Sequence, residues 1–222
     1  VSGNWRHIII DVYLVVKSTP ALLWTMIGAV FLHIPMGAGH FAIVWLERER
    51  GFGLGEISAV YGLIYIVFGT AGTFLGGILS DWYQARFKGG RVRFSAYLML
   101  GIAPLLVSYR FVDPSSSLFY MGMAAGMFSV SSFYGPAFST VQDLTPVRLR
   151  GVMTGLLLAA CNLLGMGIGA MMTGILSDVF SANHIIEPLT KALLTADVLA
   201  WVAPTSFIIA SVHIERQKAK SL

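Results

Sequence analysis

Residues 22–45 read LLWTMIGAVFLHIPMGAGHFAIVW, and this stretch decides the fold class. It contains no Asp, Glu, Lys or Arg. A helix that crosses the hydrocarbon core of a bilayer, roughly 30 Å thick, needs about 20 consecutive apolar residues. The stretch therefore predicts a transmembrane helix.

Five further apolar stretches follow the first one. They lie at residues 57–79, 94–109, 118–141, 152–177 and 193–212, and Asp197 is the one charged residue among them. The third stretch is the shortest, and we expect the Arg110 side chain to extend to the membrane interface beside it. Of the 222 residues, 56% are hydrophobic and 12% are charged. The sequence predicts an all-α polytopic membrane protein with six transmembrane helices.

The basic residues predict how these helices are oriented. Eleven of the 15 Lys and Arg residues lie before the first stretch, after the second, after the fourth and after the sixth. The other four are Arg48, Arg50, Arg110 and Lys191. Because cytoplasmic loops carry the excess of Lys and Arg, we expect a multi-pass protein of the cell membrane with both termini in the cytoplasm. The net charge of +4 then reflects topology, and we expect no nucleic-acid partner.

Three regions are predicted along the chain. Residues 1–19 form a cytoplasmic or interfacial lead-in, residues 20–214 form the six-helix bundle, and residues 215–222 form a basic cytoplasmic tail. Pairs of glycines four residues apart are typical of closely packed membrane helices. Four such pairs are present, at Gly72 and Gly76, Gly122 and Gly126, Gly151 and Gly155, and Gly165 and Gly169.

The loop after the second stretch carries a recognisable motif. Residues 76–93 read GGILSDWYQARFKGGRVR. This segment resembles the loop motif of major facilitator superfamily transporters, Gly-x-x-x-Asp-Arg/Lys-x-Gly-x-basic-basic, in its second-half copy. Gly77 and Asp81 match it, and Arg86 and Arg91 are its basic members, whereas Trp82 replaces the usual cation after the aspartate.

Other segments resemble the spinster-like branch of that superfamily. Residues 135–151, 162–169 and 174–178 are similar to its tenth and eleventh helices, and residues 45–51 to the outward end of its seventh. The resemblance implies the C-terminal half of a twelve-helix carrier that works by alternating access, with the N-terminal half as its partner. The gating and loop-motif residues it implies are Gly77, Asp81, Arg86, Arg91, Asp143 and Arg150. We expect Asp81 to cap the N-terminus of another helix and to pair with Arg86, Arg91 or Arg150.

Polar residues within the stretches are candidates for a substrate or proton pathway, since carriers bind solutes near the bilayer midplane. The candidates are His33, His40, Tyr120, Tyr134 and Asn162. The two histidines are seven residues apart, which places them on one helix face about 10.5 Å apart along the axis. Each of these side chains also has a purely structural alternative, a hydrogen bond to a neighbouring helix.

Asp197 is a candidate for proton transfer, with a tie to Lys191 or Arg110 as the alternative. Every Arg and Lys lies at or beyond the edge of a stretch, so no fixed clamp for an anion is predicted. The predicted function is secondary transport of a small organic or amphipathic lipid-like solute, coupled to a proton or sodium gradient, in contact with membrane lipids. Six-span channels or scaffolds that form homo-oligomers are the alternative.

An enzyme within the membrane is not predicted. The chain has no Gly-x-Ser-Gly or His-Glu-x-x-His motif and no paired acids within the stretches. We therefore expect no catalytic residue, no metal site and no cofactor.

Overall fold

The computed structural model describes residues 5–220, and all regular elements in that range are helical. Helix α1 (Trp5–Ser18) forms the predicted lead-in. The first four residues of the lead-in and the last two of the predicted tail lie outside the described residues. The described part of the tail continues the last helix as far as Lys220.

Within residues 5–220, five stretches are long and apolar enough to cross a membrane: Pro20–Arg50, Leu54–Arg86, Gly90–Ser108, Val147–Ala182 and Pro188–Lys220. The first contains α2 (Pro20–Ala38), a 3₁₀ turn (Gly39–Phe41) and α3 (Ala42–Arg50). The second contains α4 (Leu54–Ile64), a π-helical segment (Tyr65–Gly69) and α5 (Thr70–Arg86), and the third is α6 (Gly90–Ser108). The fourth contains a 3₁₀ turn (Val147–Leu149), α9 (Arg150–Ala160), a π-helical segment (Cys161–Gly167) and α10 (Ile168–Ala182). The last contains α11 (Pro188–Leu199) and α12 (Val202–Lys220). We refer to these stretches as spans 1, 2, 3, 5 and 6.

Of the six predicted spans, five are present among the described residues. The predicted helix at 118–141 is interrupted, because α7 (Ser117–Ser132) and α8 (Tyr134–Asp143) are separated at Phe133. Pro136 explains the interruption, since it has no amide hydrogen to donate to the carbonyl of Ser132 and its ring crowds that carbonyl. We refer to α7 and α8 together as segment 4.

The chain crosses the bundle in alternating directions, so the loops collect at two ends. The basic end carries Arg91 and Arg148, and the opposite end carries Arg50 and Arg110. Span 1 packs against spans 5 and 6, while span 2 packs against span 3 and segment 4, and spans 3 and 6 pack together. This arrangement leaves a space between the two groups of helices towards the opposite end.

Glycines let the helix backbones approach at three of the four predicted pairs. A Cβ on Gly169 would overlap the carbonyl of Ile34, and a Cβ on Gly76 would overlap Ser132, so these contacts need a residue without a side chain. The third pair packs Gly122 against Tyr109. The fourth pair makes no such contact within the described part of the chain, because no atom of another segment there lies within 4 Å of a Cβ built on Gly151 or Gly155.

Candidate functional site

A cavity of about 490 Å³ lies inside the bundle, towards the opposite end. Its walls come from all five spans and from segment 4. One residue from each, in chain order, is Met36, Tyr61, Met99, Met123, Met166 and Asp197. Pockets of about 300–1,000 Å³ are typical of sites for small organic molecules. The volume is therefore suitable for an organic solute.

Irregular backbone surrounds this cavity. Pro35 lies within α2, and Pro204 follows the break between α11 and α12. Tyr65 and Met166 line the cavity from the two π-helical segments. Prolines and π-helical turns interrupt the regular i to i−4 hydrogen bonds, and π-helical turns are frequent at functional sites. The cavity thus lies where the helices depart from regular geometry.

An ion pair lies in the wall of the cavity. The Nε of Arg110 donates a hydrogen bond to Oδ2 of Asp197 at 3.1 Å, and the two side chains are 9% and 16% exposed. The guanidinium carbon of Arg110 is 4.8 Å from the ring centre of Trp45 and 4.6 Å from that of Tyr109. The prediction that Arg110 extends outward is wrong, because the ion pair and the two rings hold its side chain inside the bundle. Of the two alternative ties weighed for Asp197, the structure has the one to Arg110.

A polar cluster closes the bundle beyond the cavity, at the opposite end. The Glu49 carboxylate accepts hydrogen bonds from the backbone N–H groups of Leu189 and Thr190, at 2.7 and 2.8 Å, and from the Thr190 hydroxyl at 2.7 Å. The indole N–H of Trp45 donates to the same hydroxyl. Glu49 therefore caps the N-terminus of α11 from span 1 and joins two distant parts of the chain. We call this cluster the outer clasp, and it also contains Arg50 and Glu187.

Arg50 completes the outer clasp. It pairs with Glu187 at 2.9 Å and donates to the backbone carbonyl of Arg110. The hydrogen bond from Arg50 lowers the pKa of the Glu187 carboxyl, and burial opposes this effect only in part. Residues 45–51 resemble the outward end of the seventh helix of spinster-like carriers. Nothing in the spacing of their acids and bases predicted that they would meet residues 187–190.

The predicted pathway residues do not converge on one point. His40 lines the cavity, whereas His33 is buried among aromatic rings, with its Nδ1 2.7 Å from the Ala29 carbonyl oxygen and its Nε2 3.4 Å from the Tyr134 hydroxyl. The two histidines are separated by the change from α2 to the 3₁₀ turn, so a single ideal helix does not describe them.

Tyr120 and Asn162 lie elsewhere. Tyr120 lines a shallow apolar depression with Phe128, outside the cavity. The Asn162 amide donates to the carbonyl of Leu158 in its own helix, at 2.8 Å, and the residue is exposed. Met123 and Met127, which follow Tyr120 at helical spacing in α7, do line the cavity.

The loop-motif residues gather at the basic end. Arg91 donates from Nε to Asp81 at 2.5 Å and from Nη1 to Asp143 at 2.7 Å, which ties spans 2 and 3 to segment 4. Both carboxylates are largely exposed. Asp81 accepts no backbone hydrogen bond among the described residues, so the expected cap of another helix is not present in this structure.

The other motif residues have separate contacts. The Arg86 guanidinium lies 4.8 Å from the Trp82 ring centre, and Arg150 donates to the Thr145 carbonyl at 3.3 Å. Gly77 faces Gly135 so closely that a Cβ on Gly135 would lie 3.2 Å from the Gly77 Cα. Arg91 is therefore the arginine that meets Asp81, of the three that were considered.

Comparison with known proteins supports the predicted resemblance. No family model matches the chain. The chain is 26% identical over 197 residues to an MFS-type efflux pump of Mycolicibacterium smegmatis, which is 87% of this chain and 43% of that protein. It therefore spans less than half the length of this relative.

Two solved structures share the fold. Both are crystal structures of a bacterial homologue of the human lysosomal transporter Spinster, in inward-facing conformations. The unoccupied form matches with a TM-score of 0.77 and the occupied form with 0.63, each at 19% identity and over 93% of this chain and 50% of the other. The resemblance to major facilitator and spinster-like carriers is thus confirmed at the level of the fold.

Proposed function

We propose that this chain, which has the fold of one half of a major facilitator superfamily carrier, is the C-terminal half of an alternating-access transporter for an amphipathic organic solute. In this proposal segment 4 is the remaining membrane span, both termini are cytoplasmic, and the protein lies in the cell membrane. A proton or sodium gradient drives transport.

The observation that carries the proposal is the cavity. It is enclosed by helices on several sides, its lining is mostly apolar, and the charged side chains in its described lining are Arg110 and Asp197. An apolar wall with a few polar groups is typical of sites that bind organic molecules. An amphipathic solute matches this distribution, because its apolar part contacts the methionines and its polar part reaches the ion pair.

In the same cycle, the contacts of Arg91 at the basic end act as a gate. Arg91 joins Asp81 of α5 to Asp143 at the end of α8, and alternating access requires such end contacts to break in one state. Because both acids are exposed, the contacts form and break at a modest cost in free energy.

Transport is tested with the full-length protein in proteoliposomes. We expect saturable uptake of radiolabelled dodecanoate or dodecyltrimethylammonium, with acceleration when the same solute is present inside. Met123→Trp fills the cavity and should abolish this uptake, whereas Met171→Trp, at an exposed position outside the cavity, should retain it. Uptake that rises linearly with concentration and shows no acceleration by internal solute would indicate a channel instead.

The gate is tested by Asp81→Asn. We expect normal membrane insertion and loss of net uptake, because the neutral amide no longer attracts Arg91. Asp178→Asn is the matched control, since Asp178 is an exposed aspartate near the end of α10. Wild-type uptake by Asp81→Asn would rule out the gating role.

A further inference from the structure

We propose that Arg110 binds the anionic head group of the solute inside the cavity, and that Asp197 is the counter-ion which holds Arg110 in place when the cavity is empty. The inference rests on the proposed function, because it assigns the polarity of the solute for the same cavity. It adds an anion site where the sequence predicted none.

The hydrogen bonds of Arg110 leave donors free. Its Nε donates to Asp197, but among the described residues no acceptor is bonded to Nη1 or Nη2. The residue as a whole is 7% exposed and lines the cavity. A guanidinium has five N–H groups and no acceptor, so the two terminal nitrogens leave four donors for a ligand. A carboxylate or phosphate oxygen pair matches two of them side by side.

The guanidinium is fixed before a ligand arrives. The Trp45 and Tyr109 rings lie within 5 Å of its central carbon, and Asp197 holds Nε. A planar guanidinium that lies against two aromatic rings loses little further rotational freedom on binding. The ion pair also avoids an unpaired buried charge in the empty protein. Binding of the head group at Nη1 and Nη2 does not require the bond from Nε to Asp197 to break.

The same contacts disfavour a cationic head group. A cation in an apolar site is usually held by a carboxylate and by aromatic faces. Here the Asp197 carboxylate already accepts from Arg110, and the guanidinium groups of both Arg50 and Arg110 lie over the Trp45 ring. An added cation would lie beside the positive charge of Arg110 at low dielectric, where repulsion is strong.

The apolar part of the solute has adaptable walls. Met36, Met99, Met123, Met127 and Met166 all line the cavity. Methionine side chains are flexible and polarisable, so they accommodate alkyl chains of different shapes. The geometry therefore points to an anionic amphiphile with one apolar chain.

The test is equilibrium binding to the full-length protein in phosphatidylcholine nanodiscs, with three probes of equal chain length: dodecanoate, dodecanol and dodecyltrimethylammonium. We expect the wild type to bind dodecanoate best. Arg110→Gln should weaken dodecanoate binding about tenfold to a hundredfold, the usual effect of losing charge-assisted hydrogen bonds, and should leave dodecanol binding within about threefold. Arg48→Gln, which changes an exposed arginine at the same end, should change neither.

Asp197→Asn should change dodecanoate binding in the opposite direction to Arg110→Gln. Removing the negative charge of Asp197 beside the head-group site should strengthen dodecanoate binding, whereas breaking a pair with a purely structural role would weaken the binding of every probe. The double variant Arg110→Gln/Asp197→Asn leaves no buried unpaired charge, and in it we expect dodecanol to bind normally and the preference for dodecanoate to disappear. This variant keeps the test valid if Arg110→Gln alone does not fold.

Unchanged dodecanoate binding in both Arg110 variants would overturn the inference. Tighter binding of dodecyltrimethylammonium than of dodecanoate by the wild type would overturn it as well. If dodecanol binds but no head group is preferred, the cavity function stands and the role of Arg110 is wrong. If no probe binds, the proposed function fails as well. Adding phosphatidylglycerol to the nanodiscs distinguishes the two sources of an anionic head group, because competition with dodecanoate would identify a bilayer lipid as an occupant.

Discussion

Substitution of Glu49 by Gln tests whether the outer clasp stabilises the fold. The Glu49 carboxylate accepts three hydrogen bonds, from two backbone N–H groups at the start of α11 and from the Thr190 hydroxyl, at 2.7–2.8 Å. A glutamine keeps one acceptor oxygen and turns the other position into a donor that faces an N–H group. The change therefore breaks at least one bond and removes a negative charge from a helix N-terminus.

The expected loss follows from these contacts. A hydrogen bond to a charged group contributes about 1.5–3 kcal/mol, and a charge at a helix N-terminus about 0.3–1 kcal/mol. We expect a total loss of about 2–3 kcal/mol, since Glu49 is only partly buried and water replaces some of the interaction. For a domain of this size, 1 kcal/mol lowers Tm by about 2–4 °C, so Glu49→Gln should lower it by roughly 4–12 °C.

Thermal unfolding of the detergent-solubilised protein, followed by tryptophan fluorescence, measures this effect. Glu47→Gln is the matched control, because Glu47 is exposed two residues earlier on α3. We expect its Tm to stay close to that of the wild type. If Glu49→Gln also unfolds at the wild-type temperature, then the capping contacts contribute no net stability and the clasp is incidental.

Two further predictions concern packing and pH. Gly169→Leu should destabilise the protein by several kcal/mol and reduce its yield, because a side chain there would overlap the Ile34 backbone. Gly155→Leu is the control and should be tolerated, since the space around Gly155 is open. Both variants are compared with the wild type by yield and by Tm after extraction. Because Arg50 lowers the folded-state pKa of Glu187, their pair stabilises the protein above the ordinary glutamate pKa and loses this effect as pH falls through the lowered value. The Tm difference between wild type and Glu187→Gln should therefore be small but positive at about pH 7, since the carboxylate is 43% exposed. It should shrink as the pH falls through the lowered pKa of Glu187, and a difference that grew with acidity would contradict this sign.

The sequence predicted features that depend on local composition. Apolar length predicted the spans, and the Gly-x-x-x-Asp motif predicted a charged contact at Asp81, because both signals lie within one helix and its adjoining loop. The break at Phe133 has its cause in Pro136, which was visible in the sequence but was read as part of a continuous helix.

Contacts between distant segments could not be predicted in this way. Glu49 meets residues about 140 positions away. For Asp197 the sequence offered Lys191 and Arg110 as partners but did not decide between them. A single sequence gives no information on which helix faces pack together. Arg110 lies at the edge of an apolar stretch, and its side chain was therefore predicted to lie at the membrane interface, where lone arginines usually lie. The same limitation applies to Gly151 and Gly155, whose spacing is suitable for packing although no helix of the described residues lies against them.

Trp45 belongs to two structures at once. Its indole N–H is bonded to Thr190 in the outer clasp, and its ring lies against the arginine that faces the cavity. A shift of that arginine by an arriving molecule would press on the same ring that helps to fasten α3 to α11. The presence of a solute in the cavity and the contacts of the outer clasp are therefore connected through one side chain, with no residue between them.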